Sequence, residues 1–482
     1  MQPLIGKSCS IIVVSILLLF STSCRLFANR VLREQVLVTM HNASTFFFSN
    51  VASHGGYVYY YSVDLKRRWG EGIATRDQIW VQPPGTPTVG MAYLKAYEAT
   101  GDRFYLDGAT KAAEALVYGQ LQSGGWTNCV DFDPCGQRVA QYRNGRGRGK
   151  NNSSLDDGQT QSAIQLLVRV DQALGFQHED IHESIHIALD ALLTAQFPNG
   201  GFPQVWTGPV TKQPVIKASY PTYDWRTEGR IENYWEMYTL NDNIAGYVAR
   251  ALTDAYRIYN DPKYKVALQR LGDFLILAQM PDPQPAWAQQ YNYEMKPIWA
   301  RKFEPPGISG DESQEVIETL MEIYRIIGKQ KYLKPIPRAL AYLRRSILPD
   351  GKLARYYELK TNKPLYMFRR GDMYTLTYED TNLPKHYGWT IDSRLDDIEK
   401  LYNELRDYAN PTTASRSPEK REDQVRQIIA GLDDQGCWIS VYQGERLVGQ
   451  PKFKLNTPYI ASAVFSQNIE ILSEYLIASQ TK

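Results

Sequence analysis

The chain repeats one short pattern, a Gly-led aromatic segment that follows an amphipathic stretch. Clear copies of this return segment begin at Gly55, Gly124 and Gly200, and looser copies begin at Trp287, Gly351 and Gly436. Between the copies, short polar runs open apolar-periodic stretches, which is typical of capped helices. These polar starts lie at 86–88, 156–157, 241–243, 311–313 and 456–458. A second helical pattern follows each of the first four, so the unit is helix, turn, helix and return segment, repeating every roughly 70 to 85 residues.

Helical hairpins whose inner helices share polar N-terminal ends predict an all-α fold, an α/α toroid with short β-like return segments. In that fold the inner helix starts and the return segments line one cleft. An open α-solenoid is the alternative arrangement of the same hairpins. We expect one catalytic domain over residues 29–482.

The N-terminus has the pattern of an export signal over residues 1–24. Lys7 precedes Ile11–Phe20, an apolar run of about 10 residues, whereas a bilayer span needs about 20. Ser21–Cys24 places small residues before a cysteine, as in a lipoprotein cleavage box, so lipidation of Cys24 and simple secretion both stay open. We expect an exported monomer, either periplasmic, secreted or an outer-membrane lipoprotein, that contacts a membrane only through a lipid on Cys24.

The amino-acid composition limits the kinds of partner that the protein can bind and the way in which its core is held together. The 54 Lys and Arg against 52 Asp and Glu give a net charge of +2, which argues against nucleic-acid binding through a global positive field. The 33 Tyr and 10 Trp suit either a large helical core or surfaces that stack on sugars. After the signal, Cys129, Cys135 and Cys437 are too few for a disulfide scaffold, and Cys129 and Cys135 form either one disulfide or two free thiols.

The motif HESIH at 182–186 matches the H-E-x-x-H pattern of zinc peptidases. On the same helix, Ile181, Ile185 and Leu189 form the apolar stripe, so the two histidines flank that stripe and Glu183 points towards solvent. The repeat makes this the outer helix of its hairpin, on the far side from the cleft. We therefore interpret the motif as a helix surface rather than a zinc peptidase site.

The polar helix starts carry the first candidate chemistry. Asp156, Asp157 and the run Asn241–Asn243 act as helix caps by default, but in a toroid they converge at one end of the cleft. Oxygen ligands brought together in this way suit a hard cation such as calcium.

The return segments carry basic and aromatic groups. Strand alternation places Gln204, Gln289 and Arg355 at equivalent positions with apolar or aromatic neighbours, and a structural salt bridge is the alternative role for Arg355. Further cations stand nearby at Arg301, Lys302, Arg369 and Arg370. Carboxylates for calcium, arginines for anions and aromatic rings for sugars together suggest a site for an acidic polysaccharide.

Four segments, read in order, resemble the family-10 pectate lyases. They are NGGFPQVW (199–206), YTLNDNIAGYV (238–248), AQQYNYEMKPIWARKFEPPGISGDES (288–313) and GKLARYYELKTNKP (351–364). The resemblance is strongest over residues 195–365. It implies an α/α toroid, calcium-assisted β-elimination on polygalacturonate, and an arginine as the catalytic base.

The resemblance also implies roles for single residues. Asp242 matches the calcium-binding Asp, with Asn243 beside it, and Arg355 matches the catalytic Arg. Because arginine is normally protonated, an Arg355 that only neutralises the enolate is the alternative role. From the pattern and the resemblance together we predict substrate contacts at Gln204, Trp206, Gln290, Arg301, Arg369, Arg426 and Tyr459.

Two further function classes stay open at this point. A glycoside hydrolase on a similar toroid would use paired carboxylates such as Asp156 and Asp242. A non-catalytic glycan-binding protein would keep the aromatic surfaces without turnover. Endo or exo action and methyl-ester tolerance cannot be predicted from these motifs.

Overall fold

A computed structural model describes residues 30–227, 231–407 and 418–480. The predicted export signal, with Cys24, lies outside these residues. Within them, no helix combines the length and the apolar character needed to cross a membrane. The described residues form two compact units, one within Met1–Arg76, Thr88–Ala109 and Ala414–Lys482 and the other within Asp77–Pro87 and Thr110–Thr413. The single domain over 29–482 stays a prediction.

Helices dominate the secondary structure. They are α1 (30–46), α2 (Thr86–Thr100), α3 (Arg103–Tyr118), α4 (Gln159–Ala173), α5 (Glu179–Thr194), α6 (Ile244–Tyr259), α7 (Pro262–Ala278), α8 (Gly310–Ile327), α9 (Ile336–Arg345), α10 (Leu395–Asp407), α11 (Pro418–Ala430) and α12 (Ser462–Gln480). In the second unit, α4 packs on α6 and α6 packs on α8, and each of these three also packs on the helix that follows it. The predicted fold class, an all-α fold of the α/α toroid type built from helical hairpins, is confirmed.

The strands are short. They are β1 (Tyr60–Ser62), β2 (Arg68–Gly70), β3 (Gly72–Ala74), β4 (Gln78–Trp80), β5 (Cys129–Asp131), β6 (Ser153–Ser154), β7 (Val205–Trp206), β8 (Tyr238–Thr239), β9 (Gln290–Tyr291), β10 (Ile308–Ser309), β11 (Leu353–Ala354), β12 (Tyr356–Tyr357), β13 (Pro364–Arg370), β14 (Met373–Thr377), β15 (Thr390–Ile391), β16 (Ile439–Val441) and β17 (Pro458–Ala461). In the first unit they form one antiparallel sheet in the order β16-β17-β1-β2-β3. In the second unit the return segments contribute β7, β9, β11 and β12, which pair with neighbouring loop strands.

The aromatic residue of the return segment forms a hydrogen bond that holds this segment against the helix that precedes it. The indole N–H of Trp126 donates to the Leu116 carbonyl at 2.7 Å, and that of Trp287 donates to the Leu275 carbonyl at 2.7 Å. Both indoles are fully buried. The repeated aromatic position is therefore explained by core packing and one hydrogen bond, not by a sugar surface.

The glycines of the motif are required by the turn and by close packing. Gly200 has a φ of +96°, and a Cβ there would lie 1.8 Å from the Arg270 carbonyl oxygen. Gly124 has a φ of +92°, and a Cβ there would lie 2.4 Å from the Cβ of Ala191. Because only glycine adopts this conformation freely and leaves this space, the repeat depends on it.

The three cysteines after the predicted signal are free thiols. Cys129 and Cys437 are buried and Cys135 is exposed. The two alternatives for Cys129 and Cys135 therefore resolve in this structure to separate thiols, and the core is held by apolar packing.

Candidate functional site

Two of the polar helix starts have the same backbone geometry. Asp156–Gly158 and Asn241–Asn243 each form a single 3₁₀ turn directly before an inner helix, α4 or α6. In both turns the central residue is an aspartate in the left-handed region, Asp157 at φ 47° and Asp242 at φ 50°. Asp and Asn adopt this conformation more readily than most residues, which explains their use here.

These turns bring three carboxylates together. Oxygens of Asp156, Asp157 and Asp242 all lie within 4.8 Å of one another, and we call this group the acidic triad. Burial raises the pKa of Asp242 well above its usual value, and the charges of Asp157 and then Asp156 raise it further. The triad is therefore a site where negative charge is crowded and where a cation would relieve the repulsion.

The donor set fits a hard divalent cation. It consists of carboxylate oxygens only, without nitrogen or sulfur, and Ca²⁺ prefers such oxygen ligands. Among the described residues, the acidic triad is the group of three or more His, Cys, Asp or Glu side chains with suitable spacing. Asn243, predicted as a metal ligand beside Asp242, has a buried Oδ1 without a hydrogen bond, and a Cβ on Gly246 would meet that oxygen at 2.2 Å. Its Oδ1 therefore lies against the first turn of its own helix.

The return positions contact the helix starts in a repeating way. Gln204 Nε2 donates to Asp156 Oδ1 at 2.7 Å, and Gln289 Nε2 donates to Asn241 Oδ1 at 2.8 Å. Asn241 in turn donates to the carboxylate of Asp242. The Gln amides therefore orient the turn that carries each aspartate, and Gln289 makes the contact equivalent to that of Gln204, at the position that strand alternation predicts.

Arg355 occupies the same return position in the next repeat, and it pairs with acids at the start of α8. Its Nη1 lies 3.1 Å from Asp311 Oδ2 and its Nη2 lies 3.1 Å from Glu312 Oε1. Glu312 is 1% exposed and Arg355 is 13% exposed. Burial alone lowers the pKa of Arg355, but the charge of Glu312, followed by other neighbours, outweighs it and raises the pKa well above its usual value. The site thus holds Arg355 as a cation.

A second cation, Arg301, lies directly on the acidic triad. Its Nη2 is 3.5 Å from Asp156 Oδ2, and its Nη1 is 3.5 Å from Glu304 Oε1. Glu304 accepts a hydrogen bond from the Tyr387 hydroxyl at 3.2 Å, and the Arg355 guanidinium lies 4.9 Å from the centre of the Tyr387 ring. Tyr387 therefore contacts Arg355 through its ring and contacts Glu304, the partner of Arg301, through its hydroxyl.

Tyr356 joins this network to the helix starts. Its hydroxyl lies 2.8 Å from that of Tyr387 and also donates to Gln289. One polar network thus runs from the acidic triad through Gln289 and the two tyrosines to Glu304 and Arg301. An arrangement of this kind can hold a cation and a carboxylated ligand side by side.

The other predicted substrate contacts of this unit lie in varied surroundings. Trp206 is buried and donates its indole N–H to the Ser123 carbonyl at 3.2 Å. Gln290 is buried and donates to the Tyr234 carbonyl at 2.6 Å. Arg369 lies on β13, where its Nε donates to the Gly371 carbonyl at 2.7 Å. None of these contacts joins the network described above.

Arg426 and Tyr459 belong to the first unit. Arg426 is exposed on α11, and Tyr459 is buried on β17, where its hydroxyl donates to Glu445 Oε1 at 3.3 Å. Their roles in substrate binding stay predictions.

Sequence reasoning did not identify Glu304 or Tyr387 as site residues. Tyr387 lies in a loop after β14, far along the chain from the repeat motifs, and no sequence signal marks it. Glu312 was interpreted as part of a helix cap. The acid pair Asp311-Glu312, at the same repeat position as Asp156-Asp157, was the signal that could have identified it.

Comparison with known proteins shows which enzyme family the second unit resembles. Residues 120–330 match the sequence pattern of the family described as pectic acid lyase. This segment is therefore similar to the pectic acid lyase family. It includes the acidic triad, Arg301 and Glu304, and the resemblance seen in the sequence is confirmed. The family match supports polysaccharide lyase activity.

Similar solved structures include a family 10 polysaccharide lyase from Cellvibrio cellulosa, with 18% identity and a TM-score of 0.48 over 66% of this chain and 97% of that one. A mutant of that lyase in complex with trigalacturonic acid matches with 18% identity and a TM-score of 0.47 over 66% of this chain and 99% of that one. A cellobiose 2-epimerase from Spirochaeta thermophila matches with 14% identity and a TM-score of 0.46 over 94% of this chain and 98% of that one. No curated protein matches the chain significantly.

Proposed function

We propose that this protein is a pectate lyase that cleaves polygalacturonate by calcium-assisted β-elimination. The observation that carries the proposal is the acidic triad with Arg301 on one of its carboxylates, at 3.5 Å, in the segment that matches the family. A cation site and fixed arginines side by side are what a chain of carboxylated sugars requires.

Asp156, Asp157 and Asp242 would hold the calcium ion. When bound, the ion supplies Lewis-acid stabilisation of the charge that develops on the uronate carboxylate as the C5 proton leaves. Gln204 and Asn241 keep the carboxylates in place through their hydrogen bonds to Asp156 and Asp242. These amides make the site rigid before the substrate arrives.

Arg355 is the proposed catalytic residue. Asp311 and Glu312 keep it cationic at rest, so we assign to it the neutralisation of the enolate, an electrostatic role that works best in a site closed to water. Acceptance of the C5 proton by Arg355 would first require loss of a proton that both carboxylates stabilise. The arginine base implied by the resemblance is therefore the less favoured of the two roles, and in the electrostatic role solvent water accepts the C5 proton.

The carboxylate spacing disfavours an inverting hydrolase. Inverting glycosidases hold their two carboxyl groups about 6.5 to 9.5 Å apart, to leave room for water. Oxygens of Asp156 and Asp242 lie within 4.8 Å of each other, and Asp157 shares the same space. The grouping suits one cation rather than a separated acid and base.

The test is incubation with polygalacturonate while ultraviolet absorbance of an unsaturated product is recorded. A lyase produces this absorbance together with new reducing ends. A hydrolase would produce reducing ends without the absorbance, and a glycan-binding protein would produce neither. Either of those results would overturn the proposal.

A further inference from the structure

The HESIH motif on the outer helix α5 retains a structured pair of histidines that the lyase site does not use. His182 and His186 lie one helical turn apart, with ring centres 4.5 Å from each other. His182 is 42% exposed, and His186 is partly buried. Their rings are therefore adjacent at a surface that solvent reaches.

A buried carboxylate orients the first histidine. His182 Nδ1 lies 2.9 Å from Asp171 Oδ2, and Asp171, on α4, is fully buried. The Tyr259 hydroxyl, at the end of α6, donates to the same oxygen at 2.7 Å, while Asp171 Oδ1 is buried without a hydrogen-bond partner. Because a carboxylate accepts hydrogen bonds, the neutral form of His182 carries its proton on Nδ1 and has the lone pair on Nε2.

The second histidine is available in its neutral form. His186 packs its ring against Tyr259, with centres 4.9 Å apart, and forms no hydrogen bond to the described part of the chain. Burial, followed by the charge of His182, lowers the pKa of His186. The nearby Lys263 is paired with Asp190 at 3.1 Å, so its charge is partly compensated. Neutral imidazole nitrogens are common ligands of borderline metal ions.

The glutamate of the motif has a different partner from the one peptidase chemistry needs. Glu183 is exposed and forms an ion pair with Arg143 at 2.9 Å. A zinc peptidase requires this glutamate free to activate a metal-bound water. The motif therefore keeps a chelating pair without the base.

We propose that His182 and His186 form a binding site for a divalent transition ion of the zinc class, with Asp171 positioning His182. A carboxylate that holds the remote nitrogen of a metal-binding imidazole is a recurrent feature of such sites. Two nitrogen ligands from adjacent helical turns bind the ion, and water completes the coordination. The ion cross-links two turns of α5 and takes no part in the chemistry at the acidic triad.

Titration of the metal-depleted protein with Zn²⁺, in saturating Ca²⁺ so that the acidic triad is filled, tests the site. Calorimetry should show one Zn²⁺ per chain, and saturable binding should be lost in His182→Ala and in His186→Ala. His178→Ala is the matched control, because it changes the histidine at the N-cap of the same helix. This variant should bind Zn²⁺ as the wild type does.

Asp171→Asn should weaken Zn²⁺ binding about 10- to 100-fold, the usual effect of losing such a positioning carboxylate. Because that change falls in the core, electron paramagnetic resonance of Cu²⁺ on the wild-type protein supplies an independent measurement and should show two nitrogen ligands. Absence of Zn²⁺ binding by the wild type, binding that persists without either histidine, or a Cu²⁺ spectrum without nitrogen coupling would each overturn the proposal.

Discussion

Replacing Arg355 with alanine separates the roles that this residue can have in catalysis. Loss of a charge-stabilising donor costs about 10²- to 10³-fold in rate, and loss of a proton-transfer group costs about 10²- to 10⁴-fold. We therefore expect kcat on polygalacturonate to fall at least ~10²-fold, measured by ultraviolet absorbance of the unsaturated product.

Arg355→Ala should also lower the free energy of unfolding, and the burial of Glu312 determines how large this loss is. Glu312 is 1% exposed, and without Arg355 its negative charge stays buried beside Asp311. Breaking a buried ion pair from one side costs about 3 to 5 kcal/mol in the free energy of unfolding. The double variant Arg355→Ala/Glu312→Gln removes the stranded charge and should recover much of this loss in a urea titration, while its kcat stays low. Circular dichroism then shows that the lost activity is not lost folding.

Arg355→Lys distinguishes the two chemical roles through their dependence on pH. An electrostatic residue acts as the cation, so lysine should restore part of the rate near neutral pH and lose this benefit as the pH approaches about 10.4. A base acts as the neutral form, so lysine would gain activity over the same rise in pH.

Glu312→Gln supplies a second discriminating measurement. It removes a charge that raises the pKa of Arg355, so a required neutral Arg355 would move the pH–rate profile to lower pH. The electrostatic role predicts no such shift. Near-normal kcat in Arg355→Ala together with an inactive Arg301→Ala would refute the assignment and transfer the chemistry to the KPIWARKFEPP segment.

The remaining predictions concern the metal, the outer helix and the core. Excess chelator should abolish lyase activity and added Ca²⁺ should restore it, whereas Zn²⁺ should substitute poorly because the acidic triad offers only oxygen; full activity in chelator would exclude the calcium proposal. The double change of His182 and His186 to alanine should leave turnover in Ca²⁺ essentially unchanged, and a loss of all activity would contradict their peripheral place. Trp287→Ala should lower the free energy of unfolding by about 3 to 5 kcal/mol, since the indole is fully buried and hydrogen-bonded, and chemical denaturation measures this directly.

The sequence predicts the fold well because the signals that mark the repeat are residues close together in the chain. Short polar runs mark where α4, α6 and α8 begin, although of these three helices only α8 has a side-chain N-cap, which is Ser309. Glycines such as Gly200 mark turns that require a positive φ. The apolar periodicity after the third polar start predicts a second helix over Pro262–Gln279, and α7 covers Pro262–Ala278. Signals from a few neighbouring residues are therefore sufficient to predict where these helices and turns lie.

The site is less predictable because its contacts join distant parts of the chain. Tyr387 meets Glu304 across 83 residues, and neither residue stands in the repeated motif. Gln279 illustrates the same limit within the scaffold: its side chain bridges the Pro285 and Pro335 carbonyls, and its type gives no hint of that role. Such pairings depend on how the hairpins pack against each other.

The repeat nevertheless explains how one scaffold position produces two kinds of chemistry. Gln204 and Gln289 are neutral donors, so they add no positive charge to the helix starts that they contact, where the acidic triad lies. Arg355 takes the equivalent place in the next repeat, where its charge is balanced by Asp311 and Glu312. One position of the return segment therefore holds Gln beside the acidic triad, which attracts a cation, and Arg in the next repeat, which supplies a positive charge. Under the proposed function a uronate carboxylate requires both, because a bound calcium ion would stabilise charge on it while the arginine would neutralise the adjacent enolate. Under the proposed function, this divergence of the repeats, more than any single residue, suits the site to β-elimination.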